Sequence, residues 1–457
     1  MKSVIICDME GVIENLNKDA EKLFGYSNSE LIGKKRVSIF SQGEIVLQNV
    51  LMWLKKANEH GNYEAKTKFI KKDGTVFNAK IKITPNFSNG KNKPQTGYCG
   101  ITEPIEEEVN IPISFVTKII KGVAITRAGF GSASLLPVIV VASYYAGSGD
   151  NLFSVLGLIL TLIGILTLQL FSNLYNDYFD VKDGTDGLNE EYFNVGLNDK
   201  FLEGAQISGG SRAIELGLTT LDKTKSLGNV MLFISCLSVF SILYLSFLNT
   251  GSIENVKFIS LIGFIGAFLG YFYTASPLRL VSRYGLGELT IFLTFGPLLT
   301  LGTGYAISNE TIAYLSNEFI NLLLLGIPLG ILTTNILFIN QFPDYKSDKI
   351  ASKNNLVVLF GKKSSRWIYL LFLLITFVFI FLFADTFNDK ILNFSYDLYY
   401  ISFGLLFIGG MLIFSHLFKN YDSRSLIKSN INTIYFQMLF AIVYILMLNP
   451  FYLSLFI

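Results

Sequence analysis

Two stretches of the chain gather oxygen-bearing side chains at spacings that suit chemistry. The first reads Asn173-Leu174-Tyr175-Asn176-Asp177-Tyr178-Phe179-Asp180-Val181-Lys182-Asp183-Gly184-Thr185-Asp186. The second reads Asn340-Gln341-Phe342-Pro343-Asp344-Tyr345-Lys346-Ser347-Asp348. On a helix Asn176 and Asp180 share one face, as do Asn173 and Asp177. Asn340, Asp344 and Asp348 step by four and drift ~40° per step, so they are expected to line one helix face, with a kink at Pro343. Clustered carboxylates and amide oxygens without His or Cys favour a hard cation. Mg²⁺ suits them, because it binds through a few carboxylates plus substrate phosphates and keeps water. Two such rims facing each other would grip metal ions between protein and a diphosphate. The plainer reading, charged ends terminating two helices, needs only one Asp cap each. With only His60 and His416 in 457 residues, a His-ligated metal site or a Ser–His triad is not expected. Cys7, Cys99 and Cys236 are far apart and read as scattered reduced thiols.

The elements that must position these rims are membrane spans. Of the 457 residues 51% are apolar or aromatic and only 16% charged, against roughly a quarter in an average soluble domain. With 40 Phe and 23 Tyr, this excludes a soluble multidomain enzyme and a disordered chain. A net charge of +2, with its basic residues scattered in loops, gives no reason to expect nucleic acid. The average hides a split. Residues 1–105 alternate charges with short apolar runs and read as a soluble domain. Met1–Ile13 carries Asp8 and Glu10, so no signal peptide is expected. Residues 106–128 form a linker: Glu106-Glu107-Glu108 is solvated, and 113–127 looks like an amphipathic helix on the membrane surface. Residues 129–457 hold apolar runs long enough to cross ~30 Å of hydrocarbon. Nine are expected, at about 129–147, 152–175, 226–248, 256–274, 286–306, 318–340, 366–384, 398–418 and 431–455. Acidic residues at a membrane boundary are costly and therefore functional by default.

Loop charges set the orientation. The loops after spans 2, 4, 6 and 8 carry 16 Lys and Arg; the opposite loops carry only Lys257 and Lys390. The positive-inside bias puts the N-terminal domain and both acidic rims in the cytoplasm, in a multi-pass protein of the cell membrane.

The two Asp-rich motifs resemble those of the UbiA superfamily of intramembrane prenyltransferases. The resemblance runs over about 115–457. It takes in Gly209-Gly210-Ser211-Arg212, Tyr273-Thr274-Ala275-Ser276-Pro277-Leu278, Gly285-Leu286-Gly287-Glu288, Phe295-Gly296-Pro297 and Lys353-Asn354-Asn355-Leu356-Val357-Val358. It is nearest to the branch that prenylates 1,4-dihydroxy-2-naphthoate on the way to menaquinone. That branch usually reads Gly-Lys-Arg-Thr-Leu after the second motif; here Ser352-Lys353-Asn354-Asn355-Leu356 keeps one cation and loses its neighbour. The resemblance implies an all-α bundle of nine transmembrane helices that transfers a polyprenyl group from a polyprenyl diphosphate to an aromatic acceptor. It implies Mg²⁺ on Asn176, Asp180, Asp186, Asp344 and Asp348, with Asp177 and Asn340 also catalytic and Arg127, Arg212 and Lys353 on the diphosphate. Tyr178, Tyr345 and Glu288 become candidates for stabilising a carbocation or orienting the acceptor, against plainer roles as interfacial anchors and a helix-dipole partner. Alternative acceptors are 4-hydroxybenzoate, homogentisate and a glycerol-phosphate lipid.

The N-terminal domain reads as strand, turn, strand over 4–15, a helix over 17–24 stopped by Gly25, and a helical stretch near 43–59. Strands are expected at Tyr63–Ile70, Phe77–Ile83 and Gly97–Ile101, with Lys71-Lys72-Asp73-Gly74 as a hairpin turn. This order resembles a PAS domain, a small α+β module that senses ligands or dimerises, which implies regulation or a homodimer formed through it. A competing reading is a membrane receptor or transporter with the PAS domain as its working part. Charges clustered at span ends, not at mid-membrane, suit diphosphate chemistry better.

Overall fold

The computed structural model describes residues 2–9, 11–88, 90, 94–149, 152–182, 213–214, 217–391, 395–423 and 425–449. Two compact units form, one built mainly on residues 1–126 and the other beginning at Arg127.

The first unit is a five-stranded antiparallel sheet, β1 (Ser3–Asp8), β2 (Ile13–Leu16), β3 (Tyr63–Ile70), β4 (Val76–Asn86) and β5 (Gly97–Pro104), in the order β2-β1-β5-β4-β3. β1 alternates buried and half-buried residues, the period of a strand with one face on a core. Helix α1 (Lys18–Phe24) starts where the Asn17 side chain accepts from the Ala20 amide at 2.9 Å and stops at left-handed Gly25 (φ 79°). The β3–β4 turn closes through Lys71 N donating to Thr75 O at 2.9 Å, with Gly74 at φ 85°. Ile5, Ile13, Phe24, Phe40 and Phe69 fill one core cluster, and Cys7, Trp53, Ala57, Ile83 and Tyr98 a second. The stretch expected near 43–59 is helical with a π-helical segment at Val46–Val50, followed by α2 (Leu51–His60). The unit ends in α3 (Phe115–Thr126).

In the second unit, nine helices among the described residues have the length and apolarity to cross a membrane. They are Ala128–Ser148, Val155–Lys182, Leu221–Thr250, Ile253–Phe272, Leu286–Ile307, Asn317–Asn340, Leu356–Leu382, Tyr396–Asn420 and Leu426–Leu448, here spans 1–9. Span 6 is the most enclosed; Leu322, Leu325 and Leu329 on it pack with Tyr144, Tyr305, Phe440 and Tyr444. Span 5 breaks at Gly296-Pro297. A Cβ at Gly296 would sit 2.6 Å from the Gly326 carbonyl oxygen, so the break allows backbone-to-backbone approach against span 6.

Three departures from expectation bear on the site. Span 2 continues as helix past residue 175 to Lys182, carrying the first motif on its last turns. Span 7 begins at Leu356, ten residues before the expected start, with a break at Gly361 (φ 76°). Its basic residues read as loop because charges oppose burial. In the fold Arg366 donates to the carbonyls of Lys363 and Phe418 and lies over the Phe418 ring at 4.1 Å, while Lys362 reaches Asp422 at 3.0 Å. The second motif is not one helix face. Span 6 ends at Asn340, a turn covers 341–344, and a separate short helix spans Tyr345–Ile350. Pro343 has no N–H to continue the ladder, so the helix restarts with a new axis and Asn340 parts from the two Asp.

Candidate active site

The end of span 2, the loop after span 4, the start of span 5 and the segment between spans 6 and 7 meet at one end of the second unit. Asn176 accepts from the Thr274 hydroxyl at 2.8 Å. One turn on, Asp180 Oδ1 receives Lys353 Nζ at 3.1 Å, a bond between residues 173 apart in sequence. Lys353 also donates its backbone N–H to the Asp348 carbonyl at 2.8 Å. Asp348 is buried, and its Oδ2 accepts from Asn355 Nδ2 at 2.7 Å. Burial pushes the Asp348 carboxyl up to about 7; Lys353 and the Asn355 hydrogen bond pull it down, while the charges of Asp344 and Asp180 push it further up. Two acidic rims far apart in sequence are thus near enough to feel each other's charge.

Asp177, 3% exposed, faces inward, with Arg127 Nη1 3.8 Å from its Oδ1. Arg127 is left-handed (φ 53°), an uncommon state for a residue with a Cβ, and sits directly after α3. Glu288, also 3% exposed, accepts at Oε1 from Gln341 Nε2 at 2.9 Å and from the Leu356 amide at 3.0 Å. It ties the start of span 5 to the second motif and to the first turn of span 7.

Other expected residues have partners of their own. Asn340 accepts at its amide oxygen from Asn430 Nδ2 of span 9 at 2.9 Å. The Tyr178 ring has Lys182 and Lys225 over it at 5.8 and 5.9 Å, and Tyr345 has Lys362 and Lys349 at 5.8 and 5.9 Å. Asp183, Asp186 and Arg212 lie outside the described residues.

Tyr273, Thr274 and Asn355 belong to this site and drew no role from the sequence. Tyr273 is buried beside the rims. Burial, then the charges of Glu288 and Asp180, push its phenol upward; Arg127 acts in the opposite sense. Tyr273 and Asn176 head a cavity of about 200 Å³ that runs between spans 2, 4 and 5 as far as Thr161, Ile242 and Ala306. From Asn176 to Thr161 is 15 residues of helix, about 22 Å. The walls are mostly Ile and Leu with Gly263, Gly266 and Gly302, and they carry the hydroxyls of Ser134, Thr161 and Thr290. The signal for Asn355 was an Asn directly before an apolar helical run; it caps span 7 by accepting from the Val358 amide at 2.9 Å.

Among the described residues no three His, Cys, Asp or Glu side chains form a group able to hold a metal ion. The donor type nevertheless fits a hard cation. Asp180 and Asp344 are oxygen donors within electrostatic reach of Asp348, and Lys353 partly neutralises Asp180 and Asp348.

Comparison with known proteins finds two family matches. Residues 218–441 match the UbiA prenyltransferase family, and residues 1–101 match the PAS domain. The chain is 26% identical over 290 residues to UbiA prenyltransferase domain-containing protein 1 of Dictyostelium discoideum, covering 62% of this chain and 74% of that protein. It is 25% identical over 249 residues to the 1,4-dihydroxy-2-naphthoate octaprenyltransferase of Bacillus subtilis, covering 53% of this chain and 66% of that one. A solved UbiA homolog from Archaeoglobus fulgidus, bound to GPP and Mg²⁺, aligns at a TM-score of 0.44 and 16% identity over 71% of this chain and 99% of that chain. The chain therefore carries a membrane domain of the UbiA prenyltransferase family, preceded by a PAS domain.

Proposed function

We propose that the membrane domain transfers a polyprenyl group from a polyprenyl diphosphate to an aromatic acceptor, 1,4-dihydroxy-2-naphthoate in menaquinone biosynthesis. The observation that carries this reading is the meeting of Asp180, Lys353 and Asp348 one helical turn from Asn176, which with Tyr273 lines a largely apolar cavity. A molecule with a polyanionic head and a long hydrocarbon tail matches both halves. The naphthoate acceptor is supported by the name of the Bacillus subtilis relative and by the motif resemblance.

Mg²⁺ would be held by Asn176, Asp180, Asp344 and Asp348, with Asp186 as a further candidate, and would supply charge neutralisation of the leaving diphosphate. The chain's own residues do the rest. Lys353 and Arg127, now on Asp180 and Asp177, are the described cations offered for phosphate oxygens, with Arg212 as a further candidate. The cavity walls hold the tail and exclude water from an allylic cation. The C–O bond to diphosphate breaks, the leaving group takes the electron pair, and an electron-rich ring carbon bonds to the prenyl carbon. With a naphthoate acceptor the carboxylate departs as CO₂. Tyr273, between the rims and the apolar cavity, is the phenol placed to orient the reacting end.

The test incubates purified protein with Mg²⁺, a labelled geranylgeranyl or longer diphosphate, and a panel of acceptors. Prenylated product from dihydroxynaphthoate is expected, and Asp180→Ala or Asp344→Ala should abolish it. Product only from another acceptor would overturn the assignment of the naphthoate; no prenylated product from any acceptor would overturn the transfer itself.

A further inference from the structure

Helix α3 presents two opposite faces. Thr117, Lys121 and Ile125 repeat every four residues on one side. That side is docked within the first unit: Lys121 Nζ lies 2.6 Å from Glu44 Oε1, the Thr117 hydroxyl donates to Gln48 Oε1 at 2.9 Å, and Ile125 is buried. Just before the helix, the Ser114 amide donates to the same Gln48 oxygen at 2.8 Å, and Gln48 Nε2 donates to the Pro112 carbonyl at 3.1 Å. These bonds fix the helix's rotation. At 100° per residue the other side carries Phe115, Val116, Ile119, Ile120 and Val123, all 43–76% exposed.

Five contiguous exposed apolar side chains need a covering surface. Chain continuity supplies one. α3 ends at Thr126, and the first membrane span begins at Ala128. The lipid-facing surface of the spans is an existing apolar interface, and a helix joined to it by a single residue reaches the bilayer surface whatever else it does. Lys118, exposed on the flank of the stripe, suits the headgroup layer.

We propose that the apolar stripe of α3 lies in the bilayer surface while its opposite face holds the PAS domain, so that the PAS domain rests on the membrane through a shared helix. A PAS domain mounted this way has its position set by Glu44 and Gln48, and any shift in those residues rotates a membrane-embedded helix.

The test uses the full chain reconstituted in phosphatidylcholine vesicles that contain an acyl-chain diazirine lipid. After illumination, peptide mass spectrometry should find lipid adducts on 115–123 as well as on the spans. Adducts confined to the spans would overturn the proposal. So would a photo-cross-link joining 115–123 of two chains with no lipid adduct there, which would make a second copy the covering surface. A double variant, Ile119→Glu with Ile120→Glu, should lose at least fivefold of the adducts in this segment and keep those in the spans; undiminished labelling there would also overturn it. Should that variant fail to insert, the result on the unsubstituted chain decides.

Discussion

Lys353 carries the sharpest consequence at the scale of single residues. Its ammonium sits on Asp180 and is close enough to Asp348 to pull that carboxyl down. It therefore competes with a metal ion for the same oxygens, yet adds to the attraction for a diphosphate. The two effects have opposite signs in Lys353→Ala. Mn²⁺ or Mg²⁺ binding to the substrate-free protein should tighten severalfold, because one competitor is gone. Binding of inorganic diphosphate in the presence of the metal should weaken by about fivefold or more, in line with roughly 1 kcal/mol for a partly exposed ion pair. Parallel changes in both would remove Lys353 from the site. Glu288 behaves differently. Its Oε1 serves the Gln341 amide and the Leu356 N–H inside the protein. Glu288→Ala leaves two buried donors unmatched, a cost of about 1–3 kcal/mol each. Glu288→Gln retains a carbonyl oxygen for them, so thermal unfolding in detergent should fall by several degrees in the first and much less in the second. Equal falls would mean that charge, not hydrogen bonding, is what Glu288 contributes.

At the scale of elements, the segment from Asn340 to Leu356 decides the site, and it was the least legible in the sequence. Acidic residues spaced by four read as one helix face. Pro343 ends that helix, and Asp348 rides on a new short helix that Asp344 immediately precedes, while Asn340 bonds to span 9. The first motif was easier, since no Pro or Gly falls between Gly164 and Lys182 in span 2. Local signals were also readable where the deciding bond is short in sequence, as at Asn17 capping α1 and at the Gly74 turn. Glu288, by contrast, finds partners 53 and 68 residues away, which no local pattern encodes. The same segment sets a pH dependence. Asp348 titrates at about 7 in the folded chain against an ordinary value of 3.8. Between those values the native state binds more protons than the unfolded one, so unfolding free energy falls as pH rises, by up to about 1.4 kcal/mol per pH unit. In EDTA the midpoint of thermal unfolding should therefore drop between pH 5 and pH 8. Asn355→Asp keeps a capping oxygen for span 7 but sets a second carboxylate against Asp348, and should steepen that drop. A flat or rising profile in both proteins would show that Asp348 is ionised throughout the range.

For the whole molecule, the question is how labour is divided between a PAS domain and a membrane domain. Every described rim residue, from Arg127 to Asn355, is in the second unit, and so is every residue lining the cavity. The first unit has its own sheet and its own two core clusters. With the described rim and cavity residues all in the second unit, removal of residues 1–105 should alter how fast or how stably the membrane domain works and leave what it makes unchanged. One covalent connection runs through α3. α3 leads straight into left-handed Arg127, and Arg127 faces Asp177 of the first motif. A chain lacking residues 1–105 keeps α3 but uncovers Thr117, Lys121 and Ile125, the face that Glu44 and Gln48 now hold. The expected outcome is the same prenylated product by mass spectrometry, a changed turnover rate, and a lower unfolding temperature. Restoring residues 1–105 with Glu44→Ala and Gln48→Ala should reproduce part of that change, because the domain would be present without its grip on the helix. If the truncated chain folds, inserts and binds diphosphate yet makes no product at all, the PAS domain contributes to the chemistry itself, and the division of labour drawn from these two units is wrong.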